Sequence, residues 1–193
     1  MKNISIHKNV LNAEEAKQFI RLRNNYTKMG NVELPKTEKN TKMFEELEKR
    51  LTPYVMEYVK DTPFESKIYP FHSIELIVQD QANNEQLHYD DRIEENNSLV
   101  IAPIVCLIYL NNSGEDFEGG QLYFPFQRAI VDPKIGTLAI FPTGHFYPHK
   151  VLPFVGGKRY LMKVFYYIDS GLDERDREYL TKQIRGHHYD QDN

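Results

Sequence analysis

The sequence has no tryptophan, a single cysteine, and no apolar run approaching the roughly 18–20 residues that a membrane-spanning helix needs. Cys106 has no partner for an intrachain disulfide, so the fold must be held by its own core, and a reducing, cytoplasmic setting is the expectation. The opening MKNISIHKNVLN lacks the apolar centre of a secretory signal. Basic residues number 24 against 28 acidic ones, for a net charge of −4, and they are scattered along the chain. That distribution excludes the massed basic surface typical of nucleic-acid binding, so neither nucleic acid nor membrane is expected as a partner. What the chain does have is material for a core: 40% hydrophobic residues, including 13 Tyr and 11 Phe, over 193 residues, which suits one domain.

Hydrophobic periodicity divides the chain. ISIHKNVL alternates as a short strand does, and Asn12 with Glu15 has the spacing of a capping box, which predicts a helix over Ala13–Asn24. Residues 25–40 are polar, carry Gly30 and Pro35, and read as a loop. From Thr41 the apolar positions Leu47, Leu51, Val55 and Val59 fall four apart, predicting an amphipathic helix bent at Pro53. Beyond residue 63 the pattern becomes extended, with strands expected near 71–79, 86–89, 99–110, 121–125, 128–131, 137–141, 149–154 and 158–168. Many short strands separated by turn residues predict a mainly β fold, a sandwich, jelly roll or barrel, with flanking helices. DERDREYLTKQI reads as a closing helix before a polar tail. The expected division of this single domain is 1–70 for the first strand and supporting helices, 71–168 for the β core, and 169–193 for the last helix and tail.

The tripeptide HYD occurs twice, at His88-Tyr89-Asp90 and His188-Tyr189-Asp190. On a strand, residues two apart share a face, so His88 and Asp90 can converge on one metal ion if a third ligand comes from elsewhere in the barrel. The tail copy has only Gln191, Asp192 and Asn193 after it and reads as a solvated end. Downstream of the first copy, FPTGHFYPHKVLPFVGGKRYLMKVFYYID carries His145 and His149, then Arg159 and Lys163.

In combination, His88-x-Asp90, His149 61 positions on, and Arg159 ten beyond it resemble the prolyl 4-hydroxylase-like branch of the iron(II)- and 2-oxoglutarate-dependent oxygenases. LIYLNN and GGQLYFP resemble two strands of the same family, and the likeness spans about residues 4–168. The resemblance implies a double-stranded β-helix, or jelly roll, for 71–168, with the N-terminal helices packed on one of its sheets. It implies His88, Asp90 and His149 as metal ligands and catalytic centre, and Arg159 and Tyr109 as anchors for the far carboxylate of 2-oxoglutarate. Lys163 shares a strand face with Arg159, so it is expected to assist or replace Arg159 at the co-substrate, or to pair with an acidic substrate group. Lys158, one off in register, is expected to face out, and His145 to line the pocket mouth or cap a turn. Where the family has a tyrosine nine or ten residues before His-x-Asp, this chain has Gln79 and Val78.

The chemistry of these residue types is coherent. Two imidazoles and a carboxylate on one face of an octahedron leave three positions open, the arrangement of non-heme Fe(II) oxygenases. A guanidinium offers a carboxylate two parallel donors. Fe(II), 2-oxoglutarate and dioxygen are the implied cofactor and co-substrates, with ascorbate a candidate accessory reductant. The expected reaction is hydroxylation of a peptidyl substrate, prolyl by family resemblance, or of a small molecule, with release of succinate and carbon dioxide. Asp90 disfavours halogenation, because it stands where a halide would bind. The alternative is a non-catalytic jelly-roll or cupin-like metal- or ligand-binding module.

Overall fold

A computed structural model of the chain describes residues 4–62, 68–71, 73–81, 86–90, 93–95 and 99–168. In chain order it runs β1 (Ser5–His7), α1 (Ala13–Asn24), β2 (Gly30–Pro35), α2 (Thr41–Val59), β3 (Ile68–Tyr69), β4 (Ser73–Gln79), β5 (Ile93–Glu95) and β6 (Leu99–Tyr109). It continues with β7 (Glu118–Gly119), β8 (Leu122–Phe124), β9 (Ala129–Val131), β10 (Leu138–Pro142), β11 (Lys150–Val151), β12 (Phe154–Val155) and β13 (Arg159–Ile168).

The helices form for local reasons. Asn12 Oδ1 accepts the Glu14 and Glu15 amides at 3.0 Å while the Glu15 carboxylate accepts the Asn12 amide at 2.8 Å, so α1 starts at a complete capping box. α2 runs through Pro53 as one helix and buries Phe44, Leu47, Leu51, Val55, Tyr58 and Val59 along one stripe.

The main sheet has the order β1-β10-β6-β13-β4-β2, with β3 also pairing β13 and β5 pairing β6. Both of its faces are covered. Ile104, Cys106 and Ile108 of β6 point to the helix side, with Leu51, Val55, Leu76, Met162 and Val164. Val105, Leu107 and Tyr109 point the other way, with Phe124, Phe141, Leu161 and Phe165. That double burial is why β6 reads as an unbroken apolar run rather than an alternation. A three-stranded sheet, β11-β8-β9, and a β12-β7 pair complete the β core. The mainly β architecture with helices on one sheet is the one expected.

Several expectations need correction. The predicted loop 25–40 contains β2, an edge strand antiparallel to β4. Gly30 and Pro35 stand at its two ends, and a proline on a sheet edge breaks no ladder. Arg23 holds the approach to β2: its buried guanidinium donates to the carbonyls of Tyr26 (3.2 Å), Lys28 and Gly30 (2.8 Å). The expected strand 86–89 reduces to one antiparallel bridge, His88 to His149. The expected strand 149–154 splits into β11 and β12, with Pro153, which has no amide to donate, between them. The closing helix and the tail HYD lie outside the described residues.

Candidate functional site

The bridge that replaces the expected strand creates the site. His88 and His149 exchange both backbone hydrogen bonds, at 3.0 and 2.7 Å, which sets their rings side by side with centroids 4.5 Å apart. Asp90 is tied in by its carbonyl, which accepts the Gly144 amide at 2.8 Å. One ligand atom from each of His88, Asp90 and His149 lies within 4.8 Å of the others.

Each imidazole is oriented by a carbonyl two residues before it. Nδ1 of His88 lies 2.9 Å from the Gln86 oxygen, and Nδ1 of His149 lies 3.0 Å from that of Tyr147. A carbonyl only accepts, so Nδ1 carries a proton in both rings, and in the neutral imidazole Nε2 presents a lone pair. Asp90 Oδ2 is buried without a hydrogen-bond partner, 3.5 Å from His149 Nε2. Acceptor facing acceptor in a buried site is costly unless a cation lies between them. The donor set fits a divalent metal with open positions.

Arg159 starts β13, directly opposite Gln79 of β4, and is 1% exposed. Nε donates to the Gly120 carbonyl at 3.1 Å, Nη1 to Gln79 Oε1, and Nη2 approaches the Tyr109 hydroxyl at 3.4 Å. The guanidinium carbon lies 5.1 Å from the Tyr109 ring centroid. Gly120, at φ +74°, makes room for it: a Cβ there would meet Phe117 Cε2 at 2.9 Å and Arg159 Cδ at 3.3 Å. Asn111 locks the register by donating to the Lys158 carbonyl and accepting the Tyr160 amide, both at 2.8 Å.

A cavity of about 220 Å³ joins the two ends, lined by His88, Asp90 and His149 on one side and Gln79 and Arg159 on the other. Lys163 and Asn31 also line it. Lys163 Nζ lies 3.0 Å from Asp90 Oδ1 and 3.2 Å from Glu75 Oε2. Burial alone would disfavour its charge, but the two carboxylates outweigh that and hold the ammonium above the ordinary lysine range.

The remaining sequence candidates fall outside this group. His145 is exposed and stacks on Tyr89, with ring centroids 4.1 Å apart, and Lys158 faces solvent as expected. Local sequence pattern assigns no role to Gln79, Glu75, Asn31 or Gly120, all of which stand at or beside the site. Gln79 occupied the position of a missing family tyrosine, which was a signal of difference but not of what it touches. Its contact with Arg159 spans 80 positions and exists only through the β4–β13 register.

A jelly roll with two imidazoles and a carboxylate at one end of a cavity and a buried guanidinium at the other defines a class of non-heme metal oxygenase folds. Residues 76–167 match the family model of the 2OG-Fe(II) oxygenase superfamily. No curated protein matches the chain. Among solved structures it is similar to the viral collagen prolyl hydroxylase of Paramecium bursaria Chlorella virus-1 in its 2-oxoglutarate complex, with TM-score 0.66 and 15% identity, covering 87% of this chain and 97% of that one. A Trichoplax adhaerens prolyl hydroxylase in complex with a hypoxia-inducible factor peptide fragment gives 0.63 and 19%, covering 92% and 86%. A Pseudomonas putida prolyl-4-hydroxylase gives 0.58 and 17%, covering 87% and 94%. The matched segment carries the whole candidate site on a prolyl 4-hydroxylase-like fold, and the family match together with the His-Asp-His cluster supports Fe(II) and 2-oxoglutarate as cofactor and co-substrate. Among the described residues, no helix is long and apolar enough to cross a membrane.

Proposed function

We propose that His88, Asp90 and His149 hold Fe(II), that Arg159 and Tyr109 hold the far carboxylate of 2-oxoglutarate, and that the chain hydroxylates a peptidyl substrate, with prolyl peptides as the first class to test. The observation that carries this is the buried Asp90 Oδ2, which has no hydrogen-bond partner and faces Nε2 of His149, at the opposite end of one cavity from a buried guanidinium. Bound there, Fe(II) supplies dioxygen activation coupled to oxidation of 2-oxoglutarate to succinate and carbon dioxide.

The chain's own residues do the placement. Nδ1 protons on both histidines, held by carbonyls, keep Nε2 aimed at one point. Arg159 lines the cavity and the Tyr109 hydroxyl lies against its guanidinium, so a far carboxylate held there would direct the keto end of the co-substrate toward the triad. The surrounding apolar walls, with Leu107, Leu122 and Leu161, exclude water and strengthen these charge contacts. Lys163 adds positive charge to the same cavity, already shared between two carboxylates.

A peptide is favoured by the rim. Tyr89 is 39% exposed beside the metal ligands and stacked on His145, and Phe146 is 83% exposed on the next residue. Exposed aromatics of this kind suit a chain laid across the mouth. The solved Trichoplax relative holds a peptide fragment. The deciding experiment measures succinate release with Fe(II), 2-oxoglutarate and a panel of prolyl peptides, other peptides and free metabolites. Stimulation by peptides and none in His149→Ala is the expected result. Stimulation by free metabolites alone would overturn the peptide assignment.

A further inference from the structure

Lys163 is a largely enclosed cation beside the carboxylate that the proposed iron site uses, and neither the histidines nor Arg159 accounts for it. Its ammonium lies 3.0 Å from Asp90 Oδ1 and 3.2 Å from Glu75 Oε2, and the three side chains are 14%, 8% and 13% exposed. β13 places Lys163 directly opposite Glu75 of β4, so the pair is set by strand register. Glu75 is held in turn by Asn31 of the edge strand, whose Nδ2 donates to Oε2 at 3.2 Å.

The two oxygens of Asp90 thus have different surroundings. Oδ1 accepts from Lys163, whereas Oδ2 has no hydrogen-bond partner and faces His149 Nε2 at 3.5 Å. A carboxylate left to itself can bind a metal through one oxygen or both. Binding through both would occupy a further coordination position. A bidentate keto acid and dioxygen together need all three positions that two histidines and a monodentate carboxylate leave open.

We propose that Lys163 is a positioning residue that restricts Asp90 to ligation through Oδ2, and that Glu75 holds Lys163 in that role and balances its charge near the metal. The inference rests on the iron reading above. Without Lys163, Oδ1 is free to join the metal and close a position. Without Glu75, the ammonium draws on Asp90 alone and weakens the carboxylate as a ligand.

The test is anaerobic Fe(II) titration of the full chain as wild type, Lys163→Met, Lys163→Arg and Glu75→Gln, followed by 2-oxoglutarate or pyruvate. Metal affinity and the visible absorption of the ferrous keto-acid chelate are both read. Lys163→Met is expected to hold Fe(II) at least as tightly as wild type, but to bind either keto acid about 10- to 100-fold more weakly, with a displaced band. Lys163→Arg, which keeps a donor to Oδ1, should restore the band position. Glu75→Gln should lower Fe(II) affinity by about tenfold and leave the band in place.

A wild-type band and wild-type keto-acid affinity in Lys163→Met would overturn the proposal. So would a loss confined to 2-oxoglutarate and spared for pyruvate, which lacks the far carboxylate, because that would put Lys163 on the co-substrate instead. If Lys163→Met does not fold, Glu75→Gln decides, and unchanged Fe(II) affinity there overturns the proposal. A wild-type chain that binds no Fe(II) gives a different signature: it refutes the iron reading itself, and this inference with it.

Discussion

At the residue scale, the site separates into a metal end and a guanidinium end, and substitutions should separate them too. Arg159 is almost fully buried and is braced by the Gly120 carbonyl, Gln79 and Tyr109, so its guanidinium is already oriented before a ligand arrives. Arg159→Ala should leave Fe(II) binding intact and weaken 2-oxoglutarate by about 2–4 kcal/mol, roughly 30- to 1000-fold. Titrating the co-substrate into the anaerobic iron complex checks this, and unchanged affinity would move the anchor elsewhere. The histidines follow a different logic, since each depends on a main-chain carbonyl two residues back rather than on a side chain. No single side-chain replacement removes that orientation. It belongs to the local backbone and was legible only as the spacing of His88, Asp90 and His149.

At the element scale, short strands and tight glycine positions hold the two ends of the cavity in register. β7 and β12 pair through Gly119 and Phe154, and Gly119 sits at φ +90° where a Cβ would lie 2.4 Å from the Pro153 carbonyl oxygen. Neither the backbone angle nor the contact can accept a side chain. Gly119→Ala should therefore cost at least about 1–3 kcal/mol of stability, measured as a lowered urea midpoint. Gly120→Ala should act differently. Its new methyl would press on Phe117 and on the Cδ of Arg159, so the larger loss is expected in 2-oxoglutarate affinity, with a smaller one in stability. Equal 2-oxoglutarate affinity in the wild type and Gly120→Ala would mean that the guanidinium is not held by this close approach. The start of helix α1 was readable because Asn12 and Glu15 cap it locally. Strand β2 was not, because six residues with Gly30 at one end and Pro35 at the other resemble a loop until β4 is present to pair with them.

At the scale of the whole molecule, metal and fold should be coupled. His149, Asp90 and Arg159 are all buried polar groups, and the triad brings together two distant parts of the chain through the His88–His149 bridge. Fe(II) at about 100 times its Kd should stabilise the native state by about 2.7 kcal/mol, or roughly 5–10 °C in Tm for a chain of this size. Anaerobic melting with and without Fe(II) measures this, and the shift should vanish in His149→Ala. The tail copy of HYD is expected to take no part. His188→Ala combined with Asp190→Ala should retain nearly full Fe(II)-dependent turnover, and loss of activity in that double variant would contradict the assignment of the first copy.

The sequence by itself determined the class of fold, the two helices and most core strands, because caps, four-residue apolar spacing and extended apolar runs are written within a few positions of one another. The family motif that the sequence resembles also pointed to His149 rather than His145, and the structure groups His149 with His88 and Asp90. Tertiary structure alone decided what surrounds each of those groups. Gln79 meets Arg159, Glu75 and Asp90 share Lys163, and Asn31 reaches Glu75 only because β2, β4 and β13 lie side by side in one register. A strand contact carries no trace in local periodicity, since slipping the register by one residue would keep every hydrophobic pattern within each strand and turn a different face of it toward the cavity.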